Sequence, residues 1–130
     1  MEFTLKTIIN TSPENIYETW LNSGGHTNMT GGVASISDKV GDKFTAWDGY
    51  IEGKNLALES NTRILQSWRT SEFEAHEEDS QIEILLKEVN GQTELTLIHT
   101  NLSESGEKYK TGWDNHYFQP MKAYFSQINK

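Results

Sequence analysis

The stretch GWDNHYFQPMKAYF, Gly112 to Phe125, carries five aromatic rings: Trp113, Tyr117, Phe118, Tyr124 and Phe125. Trp113, Tyr117, Met121, Tyr124, Phe125 and Ile128 recur at intervals of three and four residues, the period of one helical face. Pro120 interrupts that run. A proline inside a helix removes one hydrogen bond and crowds the carbonyl four residues back, here that of His116. The pattern predicts a long amphipathic helix, Glu107 to Ile128, bent near Pro120. Its apolar face must cover something.

The residues before it supply the partner. EFTLKTIIN alternates Phe3, Leu5 and Ile9, the signature of a strand. In TSPENIYETWLN, Ser12 suits a helix N-cap, Pro13 the first helical position, and Glu14 the positive helix end. Ile16, Tyr17, Trp20 and Leu21 form its apolar stripe, and Asn22 to Gly25 read as its end. HTNMTGG reads as irregular, with room for one further helical turn. VASIS, DKFTAW, YIEGKNLALE, TRILQSWRT, QIEILLKEV and TELTLIHT then read as short strands, separated by the turn signals VGD, WDGY, ESNT and VNGQ. In VNGQ, Asn-Gly supplies the positive φ values of a tight hairpin turn. EFEAHEEDS reads as a strand end and an exposed loop. Successive strands joined by tight turns make an antiparallel sheet with one buried face. A sheet of about six strands under a long helix, with one or two short helices after the first strand, is the α+β class.

The chain has 130 residues, the size of one domain spanning residues 1–130. It has no cysteine, which removes disulfides, thiolate metal sites and cysteine nucleophiles. Eleven basic residues face nineteen acidic ones, for a net charge of -8. That balance, with no basic cluster, argues against nucleic acid and against anionic membrane surfaces. No apolar run approaches the roughly 20 residues of a membrane span, and no leader pattern opens the chain. A cytoplasmic protein is expected.

Candidate chemistry is sparse. His26, His76, His99 and His116 show no i, i+4 pairing, so no metal site is predicted. His76 sits in the acidic run and reads as solvated. His99 shares strand parity with Leu95 and Leu97, so it points to the inner face. There it is either a polar group in a pocket or a buried histidine bonded to a neighbour, and the second is the commoner arrangement. Trp68 and Arg69 point to opposite faces. With Trp68 inside, Arg69 is outside and available to a cross-strand carboxylate rather than to a ligand. DGYIEG lacks the phosphate-loop pattern. Gly49 reads as a turn residue, Gly53 as a bulge or close backbone approach, and Thr30 to Gly32 as a flexible rim. Asp114 and His116 are two apart and do not face each other in a helix. No G-x-S-x-G elbow is present. No catalytic residue and no cofactor are assigned.

SPENIYETW, FTAWDGYIEGKNLALE, RILQSWR, TELTLIHTNL and GWDNHYFQPMKAYF together resemble successive signatures of one family. It is the C-terminal-domain type of the activator of the heat-shock-protein-ninety ATPase, within the START-like, birch-pollen-allergen-like superfamily. The resemblance runs from about Ile8 to Phe125. It implies the helix-grip fold, in which a pocket often lies between sheet and long helix. It also implies a chaperone as a partner. The eukaryotic co-chaperone carries a separate N-terminal domain, and this chain begins at the first strand of the C-terminal type. The chain alone is therefore expected to stimulate such an ATPase weakly or not at all.

Three readings follow. In the first, the domain is not an enzyme and holds a small apolar or amphipathic molecule between sheet and helix. Trp20, Phe44, Trp68, Leu97, His99, Trp113, Tyr117 and Met121 are the expected lining. In the second, it acts as a co-chaperone by surface contact. In the third, it is a cyclase-like or hydrolase-like enzyme. The third ranks last because no acid–base constellation is legible.

Overall fold

A computed structural model describes residues 1–128, Ile128 by its backbone alone. The place of the Ile128 side chain on the helical face lies outside the described residues. The chain runs β1 (Phe3–Ile9), α1 (Pro13–Trp20), α2 (Ser23–Thr30), β2 (Lys43–Ala46), β3 (Ile51–Glu59), β4 (Arg63–Thr70), β5 (Ser80–Val89) and β6 (Gln92–Thr100). A 3₁₀ turn (Glu104–Glu107) then leads into α3 (Lys108–Trp113), a π-helical turn (Asp114–Phe118) and α4 (Gln119–Ile128). The six strands form one antiparallel sheet in the order β1-β6-β5-β4-β3-β2. The sheet is curved and gripped by the C-terminal helix, as the helix-grip fold requires. No helix among the described residues is long and apolar enough to cross a membrane.

Local signals place most of these elements. Ser12 is extended, and its hydroxyl accepts the Asn15 N–H at 3.2 Å. Pro13 opens the helix, because its missing N–H is one that no helix start can pair. Asn90 and Gly91 take φ of 53° and 81°, which matches the turn to the twist of β5 and β6.

Two readings of the sequence are corrected. Asn22 to Gly25 do not simply end a helix. Asn22 starts α2, its side-chain oxygen accepting the Gly25 N–H at 2.8 Å. Two glycines weaken a helix, but here close packing demands one of them. A Cβ on Gly25 would lie 2.9 Å from the Thr19 carbonyl oxygen. VASIS is not a strand: only Ser35 bridges to Thr45. The segment is tied instead to α2, where the Ser23 hydroxyl bonds both the N–H and the carbonyl of Ile36.

Pro120 leaves its mark one turn early. The Gln119 N–H bonds the Asp114 carbonyl, five residues back, so the turn before the proline is widened. The widening brings both Tyr117 and Phe118 inside. Trp113, Tyr117, Met121 and Phe125 all lie buried along one face, as their spacing predicts. Below them, Trp68, Ile82, Ile84, Leu95 and Leu97 fill the inner face of the sheet. The outer face is charged. There Arg69 pairs with Asp79 at 2.8 Å and donates to the carbonyls of Glu74 and Glu77, pinning the acidic loop.

Gly53 shows how tightly the sheet is closed. It sits between Trp68 and Phe44 in register. A Cβ there would lie 1.9 Å from the Ser67 carbonyl oxygen and 2.6 Å from the Phe44 ring. Gly53→Ala is expected to cost about 3 kcal/mol or more, because the nearer obstacle is backbone and cannot swing aside. Urea unfolding checks this, and an unchanged midpoint would show that β3 and β4 separate freely at that row.

Candidate functional site: an aromatic groove beside the C-terminal helix

The helix and the β2–β3 turn face each other across a groove of about 420 Å³. One wall is α3 and the π turn, with Tyr109, Gly112, Trp113, His116 and Tyr117. Trp47, Tyr50 and Ile51 form the opposite wall, and Trp68 from β4 closes the floor. The rings touch one another. Trp68 meets Tyr109 edge-on at 5.0 Å and Trp113 at 5.6 Å, and Trp113 lies 4.8 Å from Tyr117. Such contacts hold rings rigid and leave large apolar faces with polar tips.

One end of the groove is polar. The Lys108 ammonium donates to the Glu72 carboxylate at 2.7 Å, and the Tyr50 hydroxyl donates to the same carboxylate. The hydrogen bonds from Lys108 and then Tyr50 hold the Glu72 carboxyl below its ordinary range. Burial, and then the bond to Glu72, push the Tyr50 phenol up. The Tyr109 hydroxyl is paired with Thr70 at 2.7 Å.

Beneath the groove two histidines are locked by hydrogen bonds. The Trp113 indole N–H donates to His99 Nδ1 at 3.0 Å, so the ring proton sits on Nε2. His99 Nε2 then donates to Ser80 Oγ at 2.9 Å, and Ser80 donates on to the Trp68 carbonyl at 2.6 Å. Burial lowers the His99 pKa to about 3. In His26, Nδ1 donates to the Trp20 carbonyl at 2.8 Å, leaving Nε2 to accept the Tyr117 hydroxyl at 2.9 Å. Burial lowers its pKa too, with the Trp20 bond opposing. Neutral histidines with both nitrogens bonded are structural ties. A third tie runs from the Trp20 indole N–H through Gln66 and Asn55 to the carbonyls of Ser37 and Lys39.

Of the residues expected to line a pocket, Trp68, Trp113 and Tyr117 do line the groove. Trp20, Leu97, His99 and Met121 are placed in the packed core instead, off the lining of the groove. Inward parity put them on the right face, but parity cannot say how deep a side chain lies. Phe44 lies outside the groove, its ring against Gly53. The reading of Thr30 to Gly32 as a flexible rim is also corrected. Gly31 caps α2, and Gly32 is buried under the Trp47 ring. Trp47, Tyr50, Ile51, Lys108, Tyr109, Gly112 and His116 were not expected in the site. Tyr109 was within reach, since it precedes Trp113 by four residues on the same face. No group of three or more His, Cys, Asp or Glu side chains able to hold a metal occurs among the described residues.

The family model for Activator of Hsp90 ATPase homolog 1-like proteins matches residues 10–126. The chain belongs to that family. It is 28% identical over 126 residues to the human activator of 90 kDa heat shock protein ATPase homolog 1, covering 95% of this chain and 37% of that protein. The Dictyostelium discoideum activator homolog is 27% identical over 129 residues, covering 97% of this chain and 33% of the relative. The chain thus spans about a third of the length of these relatives. Among solved structures, an HSP90 activator from Plasmodium falciparum superposes with a TM-score of 0.88 at 20% identity, covering 97% of this chain and 96% of that one. The Aha1 dimer from Colwellia psychrerythraea gives 0.80 at 19% identity, covering 96% of both chains. At such identities the superpositions speak for this family's fold alone.

Proposed function

We propose that this member of the family is a non-enzymatic binding domain whose aromatic groove holds a small, flat, apolar or amphipathic molecule. The observation that carries the reading is the groove itself: about 420 Å³ walled by rings that pack against each other but leave the space between walls unfilled. A space of that size suits a ligand of drug-like dimensions. The paired Lys108 and Glu72 at one end suit an amphipathic molecule with its polar part outward.

Gly112 provides a clean test. It lines the groove, and an added Cβ would meet nothing within 4 Å. Gly112→Phe therefore fills the groove without pushing on the core. Glycine is also a poor helix former, by about 1 kcal/mol against alanine, so the variant should be no less stable. Binding of the fluorescent probe N-phenyl-1-naphthylamine is expected in the wild type and should weaken about tenfold or more in Gly112→Phe, at unchanged or higher stability. No probe binding to the wild type would leave the groove as a surface feature only.

A second reading is stimulation of a heat-shock-protein-ninety ATPase through surface contact. Family membership supports it, and so do the names of the relatives, although the chain spans only about a third of them. An ATPase assay with the purified chain tests it. Clear, saturable stimulation would give this reading precedence.

A further inference from the structure

Trp47 occupies the groove wall under three unusual conditions. Its backbone is left-handed, with φ of 50°, and Asp48 follows at 59°. Bulky residues rarely adopt that conformation, and where they keep it the surrounding structure must enforce it. Two bonds between Val33 and Asp48 do so, at 2.9 and 3.2 Å. Second, the ring lies so close over Gly32 that a Cβ there would sit 2.5 Å from it. Third, its Nε1–H is buried and has no hydrogen-bond partner, the one such side-chain donor or acceptor among the described residues. Two of the other three indoles are paired. Trp20 and Trp113 donate to Gln66 and His99, and Trp68 lies in the floor between the two walls. A buried donor without an acceptor is costly, so its retention calls for an explanation.

We propose that the ligand supplies that acceptor. Trp47 is then the specificity residue of the groove, and its ligands are flat aromatic molecules bearing a carbonyl or comparable oxygen acceptor. This rests on the ligand-binding reading above and adds the chemistry the ligand must carry. His116, which lines the same groove, is the ring that contacts Trp47. It packs edge-on against the Trp47 ring at 5.5 Å, is itself exposed, and forms no hydrogen bond among the described residues. It can turn aside as the ligand seats.

Two probes of nearly one shape separate this inference from the reading it rests on. 2-Acetylnaphthalene carries a carbonyl oxygen, and 2-isopropylnaphthalene has only carbon in its place. The wild type is expected to bind the ketone about five- to tenfold more tightly, the worth of one buried donor satisfied. In Trp47→Phe the ratio of the two affinities should fall to near one. An NMR titration of the wild type gives a readout independent of that variant's folding. Of the four tryptophan indole N–H signals, the ketone should move Trp47's downfield, and the hydrocarbon should not. Equal affinities in the wild type, a preference that survives Trp47→Phe, or an unmoved Trp47 signal would each overturn the inference while leaving a binding groove. Binding of neither probe would overturn both.

Discussion

Trp113→Ala is expected to cost about 5 kcal/mol, enough to leave a domain of ordinary stability largely unfolded. Truncating a buried aromatic ring costs about 3–5 kcal/mol through lost transfer and the cavity left behind. Trp113 is 3% exposed and packs against Trp20, Trp68, Tyr117 and His99, so its neighbours are large, mutually braced rings that cannot collapse into the space. The substitution also strips His99 Nδ1 of its donor, a further penalty of about 1–3 kcal/mol that overlaps with the first. Trp113→Phe separates the two. It keeps most of the ring and loses the N–H, so a cost of about 1–2 kcal/mol is expected. Urea unfolding of the three proteins measures both. A loss under about 2 kcal/mol in the alanine variant would mean that the helix is held mainly by residues other than Trp113.

The second large effect is acid sensitivity through His99. Its pKa is near 3 in the folded protein and about 6.5 when unfolded. Above pH 6.5 both states are neutral and the full stability is present. Between 6.5 and 3 the unfolded chain binds a proton that the folded chain refuses, so stability falls as pH falls. The slope is about 1.4 kcal/mol per pH unit, reaching about 4–5 kcal/mol at the bottom of that window. The cause is burial, and the bonds offer the extra proton no acceptor, since a second ring proton on Nδ1 would point at the Trp113 N–H. His26, also lowered by burial, acts in the same direction. His99→Gln should be less stable at pH 7 but flatter between pH 6.5 and 4.5, by roughly one proton's worth of slope. Parallel slopes in variant and wild type would show that His99 does not carry the acid sensitivity.

What could be read without coordinates was local. The helical face Trp113, Tyr117, Met121, Phe125 lies within thirteen residues and repeats at the helix's own period, so its burial followed from spacing. The Ser12-Pro13 start and the Asn90-Gly91 turn are likewise set by one or two residues whose chemistry admits few backbone shapes. Even the opposite faces of Trp68 and Arg69 are a matter of strand parity. The family resemblance rested on the same segments, and it too reached the fold before the site.

What only the tertiary structure decided was which distant residues meet. α2 starts at the Asn22 cap, and its packing on Thr19 admits only glycine at position 25, against glycine's own helix propensity. Met121 shares the helical face of Tyr117, and Leu97 the inner sheet face of Trp68, yet Met121 and Leu97 lie in the core while Tyr117 and Trp68 reach the groove. Parity fixes a direction, whereas depth depends on what the opposite layer places above. Trp47 is the sharpest case. WDGY announces a turn, but the side of the sheet its ring takes depends on consecutive positive φ values and on the space left by Gly32, fifteen residues earlier. Local signals survive in a short window because they depend on backbone geometry alone. The groove depends on contacts between segments far apart in the chain, and those are settled only when the sheet, the turn and the helix close on one another.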